Sequence, residues 1–379
     1  MDASLTGSTV GPPTPEPQIE ATSSQVESSE LQVDPKPQQT VRRLQPPPPQ
    51  SCLDPRGDLC INVGMHPTRS FIVCSRSLAR ASPFWDKMLY GDFIESKKPH
   101  CEDDSVEWTV KLPEDNSTAL GLLLSIIHGQ FDVVPDYDDL LCVQDLYEIS
   151  VIADKYDMAH VLRPWARGWL RSTLESAELI GESLREQYCH ERLWISWALG
   201  DTANFEEIAK IMLLTSCTST PDVNNLRCPG VFEPPEIYDV LEQVRVDIIN
   251  ELLAPFRDII EGLIIKDESL CRKHKRKKNY PAVCLPSMLG TGIQSLASVG
   301  LWPIPQPAEI SWSVLILSDK LKSVKIESKA YPNIADGPHQ CSHDSVLRGK
   351  IEGVLNSIPS LLTERHEHHL DCQARKSRV

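Results

Sequence analysis

A change of period between Asp58 and Leu170 constrains this 379-residue chain more than any other feature. Leu59, Ile61 and Val63 alternate with Cys60 and Asn62, and Trp108, Val110 and Leu112 share a second alternating face. A period of two is the pattern of a strand with one buried side. From Leu120 onward the apolar residues recur every three or four positions: Leu120, Leu123, Leu124 and Ile127, then Val143, Leu146, Ile149 and Ala153. That spacing draws one apolar stripe along a helix. Strands first and helices afterward make a small sheet with segregated helices, the α+β class.

Turn and cap residues divide this stretch. The segment Met65 to Arg69, with Pro67, turns the first strand into a second at Phe71-Ile-Val73, so a hairpin is expected. Two short helical segments follow, Arg76 to Arg80 and Pro83 to Leu89, the latter with Ser82 at the N-cap and Pro83 at the first helical position. Glu107 to Leu112 is the third strand. Asn116 can cap the next helix, which Gly129 ends. A longer helix is predicted from Asp139 to Tyr156, and another from Met158 to Leu170.

This order, together with local phrases, resembles a BTB/POZ domain. The phrases are Asp58-Leu-Cys-Ile-Asn-Val63, Phe71-Ile-Val-Cys-Ser-Arg-Ser-Leu78, Ala81-Ser-Pro-Phe-Trp85, Phe93-Ile-Glu-Ser-Lys97, Leu112-Pro-Glu-Asp115 and Val151-Ile-Ala-Asp-Lys-Tyr156. Cys74 stands where the family often has His. The resemblance extends to a fungal group of BTB proteins through Leu162-Arg-Pro-Trp-Ala166, Trp169-Leu170, Leu193-Trp-Ile-Ser-Trp-Ala198, Phe205 and Gly300-Leu-Trp-Pro303. It implies protein recognition. BTB domains commonly dimerise through an added N-terminal strand and helix. Here a Pro-rich arm reaches almost to Asp58, so that element is not expected, and self-association is left open.

The same resemblance implies a docking element. Phe93-Ile94-Glu95, between the second short helix and the third strand, is similar to the apolar-x-acid segment through which some BTB adaptors bind a cullin scaffold. The plain alternative is a loop with Phe93 tucked into the core.

Composition narrows the rest. A net charge of −15 argues against general nucleic-acid affinity, because a phosphate-binding surface needs surplus Lys and Arg. The longest nearly uninterrupted apolar run, Ala119 to Ile127, falls far short of the ~18 to 20 residues that span a bilayer, so no membrane partner is expected. The N-terminus has no basic segment followed by an apolar one, and the 12 cysteines include no C-x-x-C. An intracellular protein with reduced thiols, in nucleus or cytoplasm, is the expectation. Asn116-Ser-Thr118 matches a glycosylation sequon, but its capping role is the stronger reading.

Six segments are expected along the chain. Residues 1–54 form a disordered arm: residues 1–50 hold ten of the thirty prolines and no aromatic residue, and Pro46 to Pro49 serve as a spacer or a polyproline ligand. The BTB-like module covers 55–172. A helical extension, 173–270, has Trp194 and Trp197 in its core and Pro255 kinking or splitting its last helix. A basic linker occupies 271–283, a helical region 284–370 and a tail 371–379.

Catalytic signatures are missing from the sequence. There is no G-x-S-x-G and no G-x-x-x-x-G-K, and Gly290 and Gly292 lack the preceding strand of a dinucleotide site. His366-Glu-His-His369 fails as a zincin motif because the second histidine would have to fall at Leu370, so a solvated tail is expected. Arg272, Lys273, Lys275, Arg276, Lys277 and Lys278 place six positive charges within seven residues, a candidate nuclear-import signal or phosphate-binding patch, against the plain reading of a solvated helix end. Cys284, His339, Cys341 and His343 are zinc-type ligands, which Cys271 or His274 could join, although their spacing lacks paired knuckles.

The expectation is therefore an α+β chain, a BTB/POZ module followed by an all-helical extension, acting as a non-catalytic protein-binding adaptor. Recruitment of a cullin-type ubiquitin ligase is its sharpest form. The alternative is a nuclear transcription regulator using the basic run and a zinc site.

Overall fold

The alternating segments form three strands of one small sheet, and a fourth comes from the arm. The computed structural model describes Gly11 and residues 43–96, 108–136, 139, 141–171, 188–217, 227–272, 279–329 and 340–379. Strands β1 (Gln50–Cys52), β2 (Leu59–Val63), β3 (Arg69–Val73) and β4 (Thr109–Leu112) lie in the order β1-β3-β2-β4. β2 and β3 are the antiparallel hairpin, whereas β1 runs parallel to β3 and β4 parallel to β2. The register sets Ile61 opposite both Phe71 and Val110, all buried. Alternation thus becomes one continuous apolar row, because opposed residues share a face.

Caps set the helices where the sequence places them. Ser82 accepts from the backbone N–H of Phe84 and Trp85, separating α1 (Ser75–Ala81) from α2 (Pro83–Tyr90). Its own hydroxyl donates to the Tyr156 carbonyl at 2.5 Å, fixing α2 to the far end of the module. Asn116 caps α3 (Ser117–Ile127) by accepting from Thr118 and Ala119. The ring of Phe71 lies against Gly121, where a Cβ would come within 3.0 Å of it. Asp115, buried in the loop before α3, accepts from the Tyr156 hydroxyl and the Lys155 ammonium, tying that loop to the end of α4 (Val143–Lys155). Burial, reinforced by the Asp115 hydrogen bond and charge, raises the Tyr156 pKa and keeps its hydroxyl a donor.

Several expectations are corrected. The long helix starts at Val143 rather than Asp139. The stretch 158–170 divides into a 3-10 turn, Ala159–Leu162, and a helical turn from 166, because Pro164 interrupts it. The end of the arm is not free: Leu53 donates its N–H to Ile72 at 2.9 Å, Leu44 donates to Asp145 at 2.8 Å, and Pro47 lies beside Gly121. Residues 43–54 therefore belong to the fold, because a polyproline segment has unpaired carbonyls and apolar rings that an open strand edge and helix face can use. The rest of the arm, Gly11 apart, lies outside the described residues.

Beyond the module, α5 (Cys189–Leu199) is buried on nearly every side between α4, α6 (Thr202–Thr215) and α11 (Glu364–Ser377). Trp194 and Trp197 are core, as read from sequence. α7 (Ile237–Ile264) runs through Pro255 without a break, with Pro255 itself buried. It carries α8 (Asn279–Ser298), α9 (Val314–Ser323) and α10 (Asp344–Asn356). All described residues from 43 onward belong to one compact unit with a single buried core. The lines drawn at 172, 270 and 283 are thus changes of sequence pattern rather than limits of packing.

The presumed tail is the clearest correction. Residues 364–377 form a helix capped by Thr363, with His366, Leu370, Gln373 and Ser377 buried. His369 stacks on Trp197 at 3.7 Å, His366 pairs with the Pro235 carbonyl at 2.7 Å, and Ser377 donates to Leu199. Arg163 donates to the Lys376 carbonyl and Lys376 pairs with Asp157, so the helix bridges the module and the extension. His366 and His369 are thus taken up in packing, while His368 between them is exposed.

Candidate functional site

Two places combine unusual chemistry with a defined geometry. The first is the turn after α2. Gly91 ends that helix, and Ile94–Ser96 makes one 3-10 turn. The buried Trp108 donates its indole N–H to the Glu95 carbonyl at 2.7 Å, and Ser96 folds back to donate to the Phe93 carbonyl at 2.6 Å. The backbone is pinned while its apolar side chains face water: Phe93 is 56% exposed and Ile94 78%. Neither is tucked into the core. Glu95 is half-buried beside them, and Phe84 and Tyr90 on α2 are also exposed. Adjacent exposed apolar side chains on a fixed turn are the kind of surface that a partner covers.

The second place lies where three segments of the C-terminal half meet. Cys271 follows the 3-10 turn Glu268–Leu270 after α7, Cys284 sits in the second turn of α8, and Cys341 precedes α10. All three are buried, and their sulfurs lie within 4.8 Å of one another. Cys341 is held by a reciprocal pair with Ser328: its N–H donates to the Ser328 hydroxyl and its carbonyl accepts from the Ser328 N–H, each at 2.8 Å. The stretch that carries Ser328 is itself laced to α8. Lys329 donates its N–H to Ser287, Lys325 donates to Ser295, and Thr291 donates to the Glu327 carbonyl. Hydroxyls four residues apart thus form a polar edge along one face of α8, a spacing visible in the sequence at Ser287, Thr291 and Ser295. Burial pushes the Cys284 thiol up to about 12, with Cys341 and Cys271 adding to it and the Ser328 hydrogen bond opposing it.

The zinc-type set is therefore reassembled. Cys284 and Cys341 meet as expected, and Cys271 completes the group. His343 does not join: its Nε2 faces the Leu270 carbonyl at 3.0 Å. His339 and His274 lie outside the described residues. Of the basic run, Arg272 reaches the Ser342 carbonyl at 2.9 Å, while Lys273, Lys275, Arg276, Lys277 and Lys278 lie outside the described residues. The eleven cysteines described carry no disulfide. Among the described residues no helix is long and apolar enough to cross a membrane. No family model, curated protein or solved structure matches the chain.

Proposed function

We propose that the chain is a non-catalytic adaptor whose N-terminal α+β segment acts as a BTB/POZ-type interaction module. In this reading Phe93, Ile94 and Glu95 dock a cullin-type ubiquitin-ligase scaffold, and the helical remainder holds the substrate. The observation that carries it is the pair of exposed apolar side chains on the Trp108-pinned turn. A preset backbone lowers the ordering cost of binding, and an aromatic anchor supplies most of the energy of such contacts. The element order in the structure, hairpin, two short helices, third strand and helices, supports the same reading.

The test is titration of the full chain against the cullin of the same organism. Phe93→Ala should weaken binding by ~2 kcal/mol or more, roughly thirtyfold in Kd. Glu95→Ala should cost less, because a rim charge stays partly hydrated. Because Phe93 is exposed, its variant should keep the wild-type unfolding midpoint, which separates lost docking from lost fold. Absence of wild-type binding at tens of micromolar would refute the ligase form and leave a general adaptor.

A further inference from the structure

We propose that Cys271, Cys284 and Cys341 form a thiolate site for a zinc-class divalent cation that ties the end of α7 to α8 and to the start of α10. The three sulfurs come from positions up to 70 residues apart, yet converge within 4.8 Å, at 0%, 1% and 0% exposure. A buried cysteine is often only a small apolar side chain. Three from separate segments, turned sulfur to sulfur, point instead to a shared ligand. Zinc bonds thiolate at ~2.3 Å, so sulfurs around one tetrahedral ion stand roughly 3.8 Å apart. The cluster needs shifts of under about 1 Å to reach that spacing, within the play of cysteine rotamers.

The surroundings suit such an ion. Ser328 fixes the Cys341 backbone through a reciprocal pair of hydrogen bonds, the kind of contact an outer shell makes to orient a ligand. Thiolate sulfur favours zinc-class and softer ions over magnesium or calcium. On binding, each sulfur exchanges its proton for a bond to the ion, the protons passing to solvent. The thiolates then exceed the charge of a divalent ion by one, and the sequence places a cationic run, beginning at Arg272, directly after Cys271. The site is independent of the docking turn, and its failure would leave that reading untouched.

The experiment uses the full chain, purified under a thiol-free reductant, with zinc and then cobalt as probes. Elemental analysis should find about one zinc per chain after dialysis, and the cobalt form should show an intense sulfur-to-metal charge-transfer band in the near ultraviolet. Cys284→Ser and Cys341→Ser should each lower zinc affinity at least tenfold and weaken that band. Cys189→Ser removes a buried cysteine elsewhere and should change neither. Circular dichroism should show that all three variants fold. The proposal fails if zinc is absent, if the cobalt band is missing, or if Cys189→Ser lowers binding as much as the cluster variants.

Discussion

Replacing Gly200 with Ala tests the docking of the C-terminal helix most directly. Gly200 closes α5 at φ 82°, in the left-handed region, and an added Cβ would lie 2.1 Å from the Ala374 nitrogen and 2.6 Å from the Leu370 carbonyl oxygen. The left-handed conformation alone costs a residue bearing a Cβ roughly 1–2 kcal/mol. The clash is with backbone, which no rotamer relieves, so α11 must retreat by roughly 1 Å, enough to forfeit a quarter to a half of each dispersion contact it makes there. Overpacking of this kind costs a further ~1–3 kcal/mol, and the Ser377–Leu199 hydrogen bond, worth ~1 kcal/mol, is strained. A total loss of about 2–5 kcal/mol is expected. Gly129 is the control, since its φ is 73° but nothing lies within 4 Å of its would-be Cβ. There Ala should cost only the conformational ~1–2 kcal/mol. Equilibrium urea unfolding of the full chain, followed by tryptophan fluorescence, measures both; Trp197 at the α5–α11 contact reports locally. If Gly200→Ala falls within half a kcal/mol of Gly129→Ala, the close approach of α11 is wrong.

Two further outcomes follow from the packing. Truncation to residue 54 removes β1, buried Leu53 and the Leu44–Asp145 bond, and should lower stability by about 2–4 kcal/mol through lost apolar burial and edge hydrogen bonds. Truncation to residue 42 keeps those contacts; equal unfolding midpoints for the two would refute a packed arm. The second concerns pH. Burial lowers the pKa of His369, and likewise of His190 and His160, from the ordinary 6.5. The unfolded chain therefore binds protons before the folded one, so stability should fall as the pH drops from about 7 toward 6. The half-buried Asp154 and Glu191 have pKa values raised by desolvation and act in the opposite sense. His369→Phe should flatten the slope between pH 7 and 6, and an unchanged slope would remove His369 from this account.

What the sequence determined by itself was local. Ser82 and Asn116 announced their helices because a short oxygen-bearing side chain before an apolar stripe can satisfy free N–H groups within its own turn. Alternation at Leu59–Val63 and spacing at Leu120–Ile127 announced faces, because periodicity is a property of the nearest neighbours. The identity of each face's partner was not legible. A histidine-rich segment with no apolar stripe read as a tail, and only the meeting of His369 with Trp197, 172 positions earlier, made it a buried helix. The proline arm likewise became an edge strand only because β3 left a row of backbone groups open. At the candidate sites, Phe93-Ile94-Glu95 could be singled out from the chain, but the exposure of Phe93 depended on the Trp108 indole 13 residues beyond Glu95. The cysteines were visible as residue types, whereas their convergence, and the turning aside of His343, came from the packing of α8 and α10 on α7. Local order follows from short-range hydrogen bonding and period, while the pairing of distant surfaces is a cooperative choice among many apolar faces that only the folded chain makes.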